Sequence, residues 1–132
     1  MVTRTPRFLL AFSSLLSAVG GTIHAAAFKK ALAAIDASDL PHFYGASSKA
    51  LWLADSATLF ILAAVFGLIA ARPLMAARPF VVLVALIPAA TAILLYTFLG
   101  NFAAGHLLLT IAALASIAGL QFPGSGVRST LQ

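Results

Sequence analysis

Four apolar runs, at residues 8–28, 49–71, 80–99 and 102–120, take up most of this 132-residue chain. An α-helix rises 1.5 Å per residue, so about 20 residues cross a hydrocarbon core of roughly 30 Å. A lone apolar run in lipid satisfies its own backbone only as a helix. The pattern therefore predicts an all-α integral membrane protein, an antiparallel four-helix transmembrane bundle with both termini cytoplasmic. Residues 1–121 form this domain, 29–48 its long outer loop, and 122–132 a flexible C-terminal tail containing Pro123, Gly124, Ser125 and Gly126.

Composition agrees. The chain is 62% hydrophobic and 8% charged, whereas soluble domains carry about 25% charged residues. So few charges cannot coat a globule in water. The net charge of +5 is too scattered for nucleic-acid binding and reads instead as a topology signal. Cysteine is absent, which excludes disulfides, thiolate metal sites and dithiol redox chemistry.

The first run has the order of a secretory signal peptide: Arg4 and Arg7, an apolar core, then Ala25-Ala26-Ala27. It is also long enough to span a bilayer and is read as the first helix. Ser13, Ser17, Gly20, Gly21 and His24 recur at helical spacing on one face, a small-residue seam for close helix packing. Along the outer connection, Ala31 to Ala37 can continue the first helix out of the membrane, with Lys29 and Lys30 at headgroup level, and Asp36, Ser38 and Asp39 favour a stop. Pro41 opens a short turn capped by Asp39, Ser47 or Ser48 caps the second helix, and His42, Phe43 and Tyr44 settle over the outer mouth as a lid. Tyr44 and Trp52 are candidate interfacial anchors. Pro88 is expected to kink the third helix. Gly100 and Asn101 make a tight hairpin, Gly as C-cap and Asn as N-cap.

The side predicted to hold the termini carries Arg4, Arg7, Arg72, Arg78 and Arg128 and no acid; the other carries Lys29, Lys30, Lys49, Asp36 and Asp39. The positive-inside rule then places the termini in the cytoplasm, in a bacterial inner membrane.

With this topology, His24, Asp55 and His106 each fall about 6 to 9 Å below the outer end of their helices. Tyr96 joins the same layer. Intramembrane ionisable groups are costly and mark functional sites by default. The four side chains are thus predicted to form a polar network or a ligand-binding pocket in the outer half of the bilayer. Two His and a carboxylate also suit a transition metal, and His24 with His106 suit bis-His haem ligation. No P-loop, GxSxG, HExxH or CxxCH occurs. The favoured reading is a non-enzymatic accessory or ligand-binding subunit, working with other membrane subunits or as a homo-oligomer. The alternative is a metal- or haem-dependent redox enzyme or electron-transfer protein using His24, His106 and Asp55. A small proton-coupled exporter is the second alternative.

Overall fold

The computed structural model describes residues 4–75 and 77–122. It consists of α1 (Arg4–Asp36), α2 (His42–Ala71), α3 (Arg78–Leu99) and α4 (Ala103–Leu120), with a 3-10 turn at Pro73–Met75 and no strand among the described residues. Each of the four long helices is long and apolar enough to cross a membrane. Many large apolar side chains face outward, among them Ile61, Leu83 and Ile93. Such a surface fits lipid as its solvent.

The outer connection is shorter than 29–48: α1 continues past the membrane to the expected stop at Asp36, and α2 starts earlier than expected. α1 continues through Lys29 and Lys30 to Asp36, and α2 begins at His42 rather than at Lys49. Only residues 37–41 connect them. The physical reason is propensity: Lys29, Lys30, Ala31, Leu32, Ala33 and Ala34 are all good helix formers, and nothing in that segment stops a helix. The stop comes at Asp36–Asp39, where the Ser38 hydroxyl bonds back to the Ile35 carbonyl. Pro41 is the N-cap of α2, so neither Ser47 nor Ser48 has that role. With 33 and 30 residues, α1 and α2 are about 50 and 45 Å long, well beyond a hydrocarbon core. Their overhangs form a helical stalk. The Lys49 ammonium donates to the Asp36 carboxylate across it. Phe43 and Tyr44, 72% and 58% exposed, stand at its tip and do not cover the bundle as a lid.

Below the stalk, α1 packs on α2 and on α4, and α3 packs on α4. Along α1 and α2, Arg7 bonds to Ala70, Ser14 to Ala63 and His24 to Ser56, so rising numbers in one meet falling numbers in the other. The small-residue face of α1 is buried as expected, at Ser13, Ser17, Gly20 and Gly21. The Ser13 and Ser17 hydroxyls donate to the carbonyls of Leu9 and Ser13, so they enter the seam without an unmet hydrogen bond. The two glycines serve different neighbours. A Cβ on Gly20 would lie 2.9 Å from Leu107 Cδ2 of α4, and one on Gly21 would lie 3.2 Å from Leu59 Cβ of α2.

Leu10, Leu62, Phe66, Val81, Leu108 and Ile111 build the apolar core. Phe122 belongs to it too, 3% exposed, although the sequence places this residue in the tail. A large ring just past a helix end gains by folding back onto apolar neighbours rather than facing water. Residues 123–132, the remainder of the expected tail, lie outside the described residues. α3 runs unbroken through the buried Pro88. Gly100, with φ 70°, turns the chain into α4. Asn101 does not cap α4: Phe102 holds the N-cap position and no side chain bonds there.

Candidate functional site

α1 brings His24 to the inner face of the stalk end, on the same stripe as Gly20 and Gly21. α2 presents Trp52, Asp55 and Ser56 opposite it, three and four residues apart and hence on one side of the helix. The His24 imidazole lies flat on the Trp52 indole, with ring centres 4.4 Å apart and planes inclined by 16°. The Trp52 N–H donates to the His24 carbonyl at 2.9 Å. Trp52, a candidate interfacial anchor, is half-buried and also part of the site.

Both imidazole nitrogens have partners. Nδ1 is 2.9 Å from Ser56 Oγ, and Nε2 is 3.4 Å from Asp55 Oδ2. Ser56 Oγ also lies 3.2 Å from the Trp52 carbonyl. This makes the site tolerant of a proton. With a neutral ring carrying Nε2–H, Ser56 donates to Nδ1 and Nε2–H faces the carboxylate. With imidazolium, Nδ1–H donates to Ser56, whose own proton turns to the Trp52 carbonyl. Either arrangement keeps the Nδ1–Ser56 hydrogen bond. The Ser56 side chain is buried and holds the ring through Nδ1. Among the described residues no buried side-chain N or O lacks a partner.

The other predicted pair forms separately. The Tyr96 hydroxyl is 2.7 Å from His106 Nδ1, and His106 Nε2 is 2.6 Å from Asn101 Oδ1. With Nε2–H donating to Asn101, Nδ1 accepts from Tyr96. The Tyr96 ring fits because residue 105 is Gly: a Cβ there would lie 3.0 Å from Tyr96 Cε1. This cluster is exposed and closes the α3–α4 hairpin.

The predicted layer therefore resolves into two clusters, His24 with Asp55 and Tyr96 with His106. His24 and Asp55 lie 12 and 13 residues from the stalk ends of α1 and α2 while His106 lies three residues into α4, so the equal depth expected below the helix ends does not hold, and the side chains diverge. Among the described residues no group of three His, Cys, Asp or Glu converges as a metal site. The His24, His106 and Asp55 set is thus not assembled around one ion, and His24 and His106 do not face each other across a haem pocket. The cause is rotational: His106 turns outward beside Gly105, while its neighbours Ala104 and Leu107 turn inward.

What the inward residues enclose is a cavity of about 610 Å³ between the two hairpins. His24, Trp52 and Asp55 supply its polar wall. Leu95, Leu99, Phe102, Ala103 and Leu107 from α3, α4 and their turn supply the apolar wall opposite. Tyr96 and His106 are not among its lining residues. Asp55 Oδ1 has no hydrogen-bond donor among the described residues, and the carboxylate is 39% exposed, so one acceptor faces open space. An apolar cavity with a few convergent polar groups is the usual form of a small-molecule site.

Sequence reasoning missed Ser56 and the inward role of Trp52. A signal for both was present: positions 52 and 56 share a helix face with Asp55, the carboxylate within the second apolar run. No protein-family model, curated protein or solved structure matches the chain.

Proposed function

We propose that this chain is a small integral membrane protein of the bacterial inner membrane that binds an amphipathic molecule in the cavity beside His24 and Asp55. In this reading the four helices form an antiparallel bundle with both termini cytoplasmic and the stalk on the outer side. The Arg7–Ala70, Ser14–Ala63 and His24–Ser56 pairings support the antiparallel arrangement. The acid-free set Arg4, Arg7, Arg72 and Arg78 supports the orientation.

One observation carries the ligand reading: the only carboxylate within the spans lines a 610 Å³ cavity instead of being sealed in a dry seam. An apolar body fits against Leu95, Leu99 and Leu107, and a polar head bonds to Asp55 or His24. A quinone-like molecule or a lipid headgroup has this form. The chain acts as an accessory or ligand-binding subunit, with other membrane subunits or as a homo-oligomer, and catalyses no reaction itself.

The test is to purify the chain in mild detergent, extract it with organic solvent and identify retained small molecules by mass spectrometry. Retention should fall in Asp55→Asn, which blunts the polar head contact. It should also fall in Ala104→Phe, which fills the cavity without touching the polar wall. Equal extracts from all three proteins would overturn the reading.

A second reading has its own support. A His–Asp pair that accepts a proton without losing hydrogen bonds, facing a cavity, is also what a small proton-coupled exporter needs. Proton release on adding a lipophilic cation to the purified protein would favour it over passive binding.

A further inference from the structure

We infer that the opposite end of the α1–α2 pair holds a binding site for one anionic glycerophospholipid of the leaflet at that end. A groove of about 600 Å³ lies there between the start of α1 and the end of α2, lined by Arg4, Arg7, Phe8, Ala11, Ser14 and Gly67 among others. It is separate from the cavity at His24 and shares no residue with it.

Charge selects the headgroup. Arg7 Nε donates to the Ala70 carbonyl at 3.0 Å, which fixes the guanidinium plane and leaves both Nη groups for an anion. Arg4 stands one helical turn earlier on the same face. The chain has three acids, Asp36, Asp39 and Asp55, all in the stalk half of the molecule. Among the described residues neither Arg4 nor Arg7 faces a carboxylate. The start of α1 adds its partial positive charge. The end of α2 would oppose an anion, but Arg7 already sits on its carbonyl.

Shape selects a lipid over free phosphate. Beside the two arginines Phe8, Ala11 and Gly67 line the groove as an apolar strip without β-branched side chains. An acyl chain lies along such a strip; a bare phosphate gains nothing from it. Bidentate phosphate contacts above and apolar contact below match one phospholipid molecule. The site rests on the membrane reading but not on any ligand at His24.

The experiment uses the purified full chain in mild detergent and native mass spectrometry. It is titrated with phosphatidylglycerol, with phosphatidylcholine of identical acyl chains, and with inorganic phosphate as competitor. One phosphatidylglycerol is expected to bind in preference to phosphatidylcholine and to resist phosphate. Arg4→Gln, at a side chain with no hydrogen bond among the described residues, is expected to weaken it about fivefold. Ala11→Trp, which blocks the strip and leaves every charge in place, is expected to weaken it as well. Arg72→Gln, at the same end but outside the groove, is expected to leave it unchanged. Equal binding of the two lipids, displacement by phosphate, an unaffected Ala11→Trp, or an Arg72→Gln loss as large as that of Arg4→Gln would each overturn the site. None of these outcomes bears on the cavity at His24.

Discussion

Trp52 holds His24 twice: its N–H donates to the His24 carbonyl at 2.9 Å, and its ring covers the His24 imidazole at 4.4 Å. One tie is to the backbone of α1 and one to the side chain, so together they fix where the imidazole sits and how α2 rotates against α1. Trp52→Phe keeps a ring for stacking and removes the donor, and is expected to cost about 1 kcal/mol. Trp52→Ala removes both and is expected to cost more, about 2 kcal/mol for a half-buried ring. Equilibrium unfolding in mixed micelles measures both. Equal losses would mean that the hydrogen bond does all the holding.

The two contacts of the imidazole differ in worth. Ser56 is buried and 2.9 Å away, while Asp55 is 3.4 Å away and 39% exposed. Double-mutant cycles with His24→Phe are expected to give a coupling of about 1 kcal/mol to Ser56→Ala. For Asp55→Asn the coupling is expected to be smaller than that to Ser56, because the contact is longer and the carboxylate is open to the cavity. A larger Asp55 coupling would mark that carboxylate as a structural partner first and would weaken its assignment to a ligand.

Adjacent glycines in α1 should respond unequally to a methyl group. At Gly21 the neighbours include Leu59 Cβ at 3.2 Å, which moves only with the backbone of α2. At Gly20 the close neighbour is Leu107 Cδ2, the end of a flexible side chain. Gly21→Ala is therefore expected to destabilise by about 1–3 kcal/mol. Gly20→Ala is expected to cost less and to narrow the cavity, since Leu107 and Gly20 both line it. Thermal unfolding of the two variants in one detergent gives the comparison.

The absence of cysteine allows topology to be read directly. Phe43→Cys, at the stalk tip, is expected to react with a membrane-impermeant maleimide added to intact cells. Leu74→Cys, 95% exposed in the α2–α3 connection, is expected to react only after the membrane is opened. The reverse pattern would invert the orientation and place the arginine groove in the outer leaflet.

Four spanning segments were legible in the sequence because each is a long uninterrupted apolar run, and a backbone in lipid has no alternative to helix there. The α1 seam was legible for a related reason: Ser13, Ser17, Gly20 and Gly21 repeat at helical spacing, and their burial follows from that period. Depth suggested only that Asp55 needs a partner, with His24, His106 and Tyr96 all open to that role. Depth is a one-dimensional quantity, however, and run length fixes it. Rotation about each helix axis is set by which ridges meet which grooves, and that depends on all neighbours at once. Only the tertiary structure decided that His24 turns onto Trp52 and Ser56 while His106 turns outward to Tyr96 and Asn101. The continuation of α1 to a stop at Asp36 was legible, but the early start of α2 at His42 was not. Residues 42–48 are polar enough to resemble a loop, yet the packing of two overhanging helices on one another keeps them helical.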